Sequence, residues 1–283
     1  MNQTRITGLF RLFRLELPLS AGACVVLGEI LALGSIPPLN LMLKGFLSIF
    51  FISSTALILN DYFDYEIDKI NSPERPLPSG MVSKRDVVVL SIAVALAGFI
   101  TASMIGLLAL FVAVIVWCVG FLYNWRFKRS GIIGNLLVSF SVGMTFIFGG
   151  IAVGNPFDTI VWWFALLTML IDLGEEIAAD AGDIEGDRHA GSRSIAVVYG
   201  QRTALLVSST IFTAVILISI VPFIFQWLQW YYLIPISIFD LILAMSTARL
   251  LHPTTVDHRR YVKWIYRSGA VMILAIIVIR LAE

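Results

Sequence analysis

Nine stretches of this chain are apolar for long enough to cross a bilayer, and the polar residues are gathered into the short intervals between them. The stretches fall near 16–34, 39–60, 86–105, 107–125, 132–153, 158–178, 203–224, 230–250 and 262–281. Each is close to the ~20 residues a helix needs to span ~30 Å of hydrocarbon. The pattern predicts an all-α protein, an integral membrane bundle of nine transmembrane helices, organised as a single domain over residues 1–283. One interval reads differently from the rest. Between the second and third apolar runs, INSPERPLPSGMVSKRD carries Pro73, Pro76, Pro78 and Gly80, so it cannot continue as helix. It is expected to form an ordered cap, and Ser83 with Asp86 has the spacing of a capping box that opens the third helix.

Composition agrees with this reading: 58% of residues are hydrophobic and 14% charged, with mean hydropathy +0.89. The net charge of +1 gives no ground for a nucleic-acid partner, so the basic residues are informative by position. They occupy alternate intervals. Arg5, Arg11 and Arg14 come first, then Lys69, Arg75, Lys84 and Arg85, then Arg126, Lys128 and Arg129. Arg188, Arg193 and Arg202 follow, then Arg249, Arg259, Arg260, Lys263 and Arg267, with only Lys44 and Arg280 on the opposite side. The positive-inside rule then places the amino terminus in the cytoplasm and the carboxyl terminus outside a cell membrane, beneath a cytoplasmic cap of loops and short helices. The first apolar run begins late after its arginines and reads as a membrane helix rather than a removed signal peptide. Cys24 and Cys118 lie inside apolar runs and are expected to be buried thiols. His189, His252 and His258 form no i, i+4 pair, which argues against a histidine metal site.

Against this background two acidic triplets share one spacing, Asp61-x-x-Asp64-x-x-x-Asp68 and Asp180-x-x-Asp183-x-x-x-Asp187. At ~100° per residue, positions i, i+3 and i+7 fall on one helix face, so each triplet is expected to align three carboxylates. Both lie at the cytoplasmic ends of apolar runs. At the bilayer centre each Asp would cost ~2.5–3.5 kcal/mol, so the triplets belong at the aqueous edge and need neutralising. Hard divalent cations such as Mg²⁺ take carboxylate oxygens and leave room for phosphate. Two such clusters suggest a diphosphate held between them, with Arg75, Lys128, Arg188 and Arg14 placed to bind its oxygens. A diphosphate alone does not call for nine membrane helices, whereas a long hydrocarbon tail does, at ~0.8 kcal/mol per buried CH₂. The candidate donor is therefore a polyprenyl diphosphate. Gly98, Gly106, Gly143, Phe146, Phe148, Gly149 and Gly150 suit either a tail tunnel or close helix packing.

The run Asn60-Asp61-Tyr-Phe-Asp64-Tyr-Glu-Ile-Asp68 with Arg75-Pro-Leu-Pro-Ser-Gly, and Asp183-Ile-Glu-Gly-Asp187 with Gly191, resemble the UbiA superfamily of intramembrane prenyltransferases. Arg14-Leu-Glu-Leu-Pro18 and Tyr123-Asn-Trp-Arg-Phe-Lys128 are also similar, so the resemblance spans most of the chain. It implies a nine-helix bundle with a cytoplasm-facing, Mg²⁺-dependent site. By the same resemblance Asn60, Asp61, Asp64 and Asp68 would hold one metal, and Asp180, Asp183 and Asp187 the other. Arg14, Arg75, Tyr123, Lys128 and Arg188 would contact the diphosphate. Within the superfamily the first motif looks most like that of archaeal-type digeranylgeranylglyceryl phosphate synthases, which implies a geranylgeranyl diphosphate donor and a geranylgeranylglyceryl phosphate acceptor for ether-lipid synthesis. Chlorophyll synthases share a similar first motif. One departure stands out: members often carry a basic residue shortly before the second motif, where this chain has Glu175-Glu176. No general base is assigned. An aromatic acceptor of quinone biosynthesis is the enzyme alternative. An ion-coupled transporter using Glu29, Asp172, Glu175 and Asp240 is the alternative outside enzymes, although transport sites sit near the midplane on broken helices rather than at one edge.

Overall fold

The structure, a computed structural model, describes residues 3–282 apart from 253, 254 and 256. Among the described residues it is all helix and turn, with no strand. Nine long helices form the bundle: α1 Glu16–Leu33, α2 Leu39–Phe63, α3 Lys84–Ser103, α4 Leu107–Leu122, α5 Ile132–Ala152, α6 Thr159–Ala181, α7 Gln201–Ile218, α8 Leu233–Leu251 and α9 His258–Ala282. All but α6 are long and apolar enough to cross a membrane by length and composition, α4 as part of a span Leu107–Phe127 that includes the turn after it. α6 is 23 residues long and holds four carboxylates in its second half, Asp172, Glu175, Glu176 and Asp180. The expected boundaries hold to within a few residues because the signals that end the helices are local. Ser83 and Asp86 make the reciprocal capping box at α3. The Asp158 side chain accepts from the Ile160 and Val161 backbone N–H groups at α6.

Successive helices pack as a ring, α1 on α2, α2 on α3, and onward until α9 returns to α1, while α1 also lies against α5. That crossing is close enough to need glycine on both sides. A Cβ at Gly28 would lie 2.5 Å from the Phe146 carbonyl oxygen, and one at Gly149 would lie 2.3 Å from that of Val25. With no hydrophobic drive between helices in lipid, small residues that let backbones approach supply the contact. Gly149 thus has a packing role, and Phe146 and Phe148 are fully buried core side chains. The outer face is apolar and exposed, as at Leu107, Phe111, Leu217 and Val271, which fits a multi-pass membrane protein. Cys24 is buried as expected, but Cys118 is exposed. A weakly polar thiol on α4 can face hydrocarbon, so an apolar run does not by itself place a cysteine inside.

The short elements gather at one end. The amino-terminal helix Gln3–Arg11 packs Gly8 against Met81 and Val82 of the proline-rich segment. Leu12, Leu77 and Val82 join Ile58, Val87 and Val94 in a small core beneath. The proline-rich segment is a chain of turns, ordered and packed as a cap. After α4 the backbone forms a π-helical turn, Tyr123–Phe127, closed by the Lys128 N–H donating to the Tyr123 carbonyl at 2.8 Å.

Gly149→Val forces a branched side chain into the α1–α5 crossing and is expected to cost about 1–3 kcal/mol, read as a lower unfolding midpoint in detergent. Gly106→Ala, where an added Cβ meets nothing within 4 Å, should stay within about 0.5 kcal/mol of the parent.

Candidate active site

Both acidic triplets sit at the end of the bundle that carries the cap, yet neither is the continuous ladder that the spacing predicts. α2 ends at Phe63, Asp64 stands at the break, and Asp68 lies on the separate short helix Tyr65–Asn71. α6 ends at Ala181, Asp183 precedes the short helix Ile184–His189, and Asp187 lies within that helix. Each triplet therefore bends at its middle aspartate. Like charges on one unbroken face repel, and a helix C-terminus disfavours further negative charge. Breaking the helix there separates the carboxylates.

The first motif is buried and matched cation for carboxylate. Arg14 pairs with Asp61, Lys128 with Asp64, and Arg75 with Asp68 at 2.5 Å. Arg75 also approaches Asp61 at 3.9 Å. The Asp61 side chain is only 2% exposed, so the neighbouring cations stand in place of lost hydration. Three different segments supply them. Arg14 comes from the hinge before α1, where its φ of +44° is in the left-handed region, a strain of order 1–3 kcal/mol for such a residue. Arg75 comes from the cap and Lys128 from the end of the π turn. That turn also places Asn124, whose carbonyl accepts from the Asn60 amide at 3.0 Å and whose own amide donates to the Ala56 and Gly120 carbonyls.

The second motif is more open and less fully matched. The Asn135 amide donates to Asp180 at 3.0 Å. Arg259 pairs with Asp183 at 2.5 Å, where the Asp183 side chain is 49% exposed. Asp187 accepts from Ser194, but its Oδ2 is buried without a partner. Burial, opposed by the Ser194 hydrogen bond and reinforced by the Asp183 charge, pushes the Asp187 carboxyl above the usual range. Arg188, expected beside the diphosphate, is exposed and makes no ion pair among the described residues.

The two motifs share one space. Tyr123 is within electrostatic reach of Asp64 on one side and of Glu176, Asp180 and Asp172 on the other, and Lys128 reaches both Asp64 and Glu176. Below them lies a cavity of about 420 Å³ walled by α1, α2, α4, α5, α6 and α9. It runs from Asn60 to Ile49 along α2, about 16 Å at 1.5 Å per residue. Its mouth holds Asn60, Tyr123, Asn124 and Glu176, and its depth holds Cys24, Ile52, Val116 and Met272. Of the acids in the transporter reading, Asp172 and Glu175 line this cavity. Glu29 is fully buried between helices, and Asp240 accepts from Ser219 on the α7–α8 side.

Among the described residues no three His, Cys, Asp or Glu side chains converge on one point as a preformed metal cage. In chemistry the set still suits a hard cation: every donor is a carboxylate or amide oxygen, and the Asp187 Oδ2 has nothing else to bind. Sequence reading missed Asn124, Asn135 and Arg259. The two asparagines could have been noticed as rare amides at the ends of apolar runs, whereas Arg259 lies 76 residues from Asp183 and nothing local marks it.

A ring of membrane helices around an apolar cavity, with paired carboxylates and cations at its mouth, defines a helical membrane bundle built to hold an amphipathic molecule with an anionic head. The model of the UbiA prenyltransferase family matches residues 21–267. This chain belongs to that family. It is 37% identical over 204 residues to the digeranylgeranylglyceryl phosphate synthase of Thermococcus sibiricus, covering 72% of each chain. It superposes with TM-score 0.81 at 28% identity, over 99% of both chains, on a structure concerned with digeranylgeranylglyceryl phosphate synthase in membranes. A UbiA homologue from Archaeoglobus fulgidus, bound to GPP and Mg²⁺, shares the fold at TM-score 0.69 and 18% identity, over 94% of this chain and 97% of that one.

Lys128→Met would leave Asp64, with its side chain 12% exposed, without its cation. The expected cost is about 1–3 kcal/mol, less than for a fully buried pair because Lys128 is a third exposed. Asp64→Asn in the same background should recover part of the loss, as a double-mutant cycle of unfolding midpoints would show.

Proposed function

We propose that this protein transfers a geranylgeranyl group from geranylgeranyl diphosphate to the free hydroxyl of geranylgeranylglyceryl phosphate, forming an ether bond of a membrane lipid. The observation that carries this reading is the meeting of two acidic motifs and their cations at the mouth of an apolar cavity. The names of the relatives support the choice of donor and acceptor.

In this reading Asn60, Asp61, Asp64 and Asp68 hold one Mg²⁺ and Asp180, Asp183 and Asp187 the other. Bound there, magnesium supplies neutralisation of the diphosphate and Lewis-acid polarisation of its oxygens. Arg14, Arg75 and Lys128, paired with the first motif in the present structure, turn to the diphosphate oxygens and steady the leaving group. Tyr123 lies between the motifs and lines the cavity, where its hydroxyl can donate to the same group. Arg188 joins them by movement of the short helix that bears it. The C1–O bond of the donor breaks with its electron pair leaving on the diphosphate, and the cavity wall keeps water from the allylic cation. The acceptor oxygen then forms the new C–O bond. The site end faces the cytoplasm, with the amino terminus inside and the carboxyl terminus outside, because the basic residues collect at that end. The whole chain acts as a single domain.

No Lys, Arg or His lines the cavity among the described residues, so the acceptor's phosphate stays at the mouth and only its hydroxyl and hydrocarbon enter. The same absence favours the second reading, a neutral aromatic acceptor of quinone synthesis. Purified protein given labelled geranylgeranyl diphosphate, Mg²⁺ and each acceptor separates the two. Label should appear in the glyceryl lipid, and label in the aromatic product alone would overturn the ether-lipid reading.

Asp64→Ala and Asp183→Ala are each expected to lower transfer by about 10²-fold or more, with the fold retained, and chelation of Mg²⁺ should abolish turnover. Undiminished transfer in both variants would remove the metal assignment.

A further inference from the structure

Ether formation from an alcohol releases a proton, and in the reading above the carboxylates of both acidic motifs are taken up by magnesium, so the proton needs another acceptor. The cavity wall supplies one. Three carboxylates of α6 face the cavity, Asp172, Glu175 and Glu176, and their surroundings distinguish them. Asp172 accepts a hydrogen bond from the Ser139 hydroxyl at 2.9 Å. Glu176 lies within reach of the Lys128 charge and sits under the second motif. Glu175 has neither a donor nor a cation among the described residues, and its charged neighbours Asp172 and Glu176 are both of its own sign. Across the cavity from it stands Tyr266 of α9, whose hydroxyl is engaged with Ser20 at 3.0 Å. A polar group facing an apolar cavity with no partner in the protein is a group placed for a ligand.

We propose that Glu175 is the general base of the transfer, accepting the proton of the acceptor's hydroxyl as that oxygen bonds to C1 of the prenyl group. The inference rests on the hydroxyl-acceptor reading given above. The step balances: the diphosphate leaves with the electron pair of the broken C1–O bond, an acceptor lone pair forms the new C–O bond, and the O–H pair stays on oxygen as the proton passes to the Glu175 carboxylate. The absence of basic residues from the cavity is then functional. A nearby Lys or Arg would pair with Glu175 and lower its proton affinity.

The test uses full-length protein in detergent or nanodiscs with geranylgeranyl diphosphate, Mg²⁺ and geranylgeranylglyceryl phosphate. Glu175→Gln is nearly isosteric and should lower kcat for ether formation by about 10²-fold or more, the usual scale of general-base catalysis. KM for the donor should change little, and binding of the donor with Mg²⁺, measured with the acceptor withheld, should match the parent. Glu175→Asp, which keeps the carboxylate, should restore part of kcat. Ether formation by Glu175→Gln within about threefold of the parent, far below the effect expected of a base, would overturn the proposal. So would a loss of donor affinity that matches the loss of transfer, since that marks a structural role. Parent protein that transfers to no hydroxyl acceptor would overturn both readings. Parent transfer with an unimpaired Glu175→Gln overturns this one alone.

Discussion

Carboxylates at the rim of a low-dielectric bundle have to be neutralised, and that requirement ties the functional end of this protein together. The three aspartates of the first motif are matched by Arg14, Arg75 and Lys128, which arrive from the hinge before α1, from the cap and from the π turn after α4. The first two lie outside the candidate membrane spans, and Lys128 follows directly on the span that ends at Phe127. Their positions over the bundle are set by a shared electrostatic demand as well as by the small apolar core of Leu12, Leu77 and Val82. The strained backbone of Arg14 persists because a buried partner holds the guanidinium in place. The same cations suit the chemistry expected of a diphosphate site, so in the proposed reading the contacts that order this end are the ones a substrate would exchange.

Below the rim the demand is reversed. α1 and α5 approach through Gly28 and Gly149, which brings the walls close, while Ile49, Ile52, Val116 and Met272 keep the cavity apolar. Exposing hydrocarbon to water costs ~0.8 kcal/mol per CH₂, so in the proposed reading such a cavity would hold a prenyl chain out of water, as lipid does, and leave its charged head at the mouth. In the proposed reading, polar rim and apolar depth together would orient the donor, with C1 near the boundary. Glu176, Tyr123 and Asn60 line that boundary from three different helical segments.

Much of this was legible in the residues. The membrane helices followed from run length, the α3 start from Ser83 and Asp86, and the cap from its prolines, because each is a local signal. The ion pairs Arg75–Asp68 and Lys128–Asp64 were half legible: the residues were chosen, but the carboxylates as metal ligands and the cations as diphosphate ligands rather than as each other's counter-ions. The continuous ladders were not found, since spacing describes an ideal helix and says nothing of the break that charge repulsion favours at Asp64 and Asp183. Arg259 as an ion-pair partner of the second motif was out of reach. That contact joins α9 to the segment after α6 across 76 residues, and only the ring closure brings them together. Cys118 shows the converse limit, because in lipid an apolar run has two apolar sides.

The two motifs differ in a way that bears on the need for metal. In the first, three carboxylates meet three cations, and a diphosphate could in principle approach by replacing carboxylates as the partners of those cations. In the second, Asp180, Asp183 and Asp187 have one basic partner among the described residues, Arg259. An anionic headgroup moving toward that side meets a growing negative field, strengthened by the low dielectric of the bundle. A monovalent counter-ion leaves most of that field standing, whereas a divalent cation held by hard oxygens can cancel it and still offer sites to phosphate. The under-matched second motif, more than the matched first one, is therefore what makes the proposed chemistry depend on magnesium.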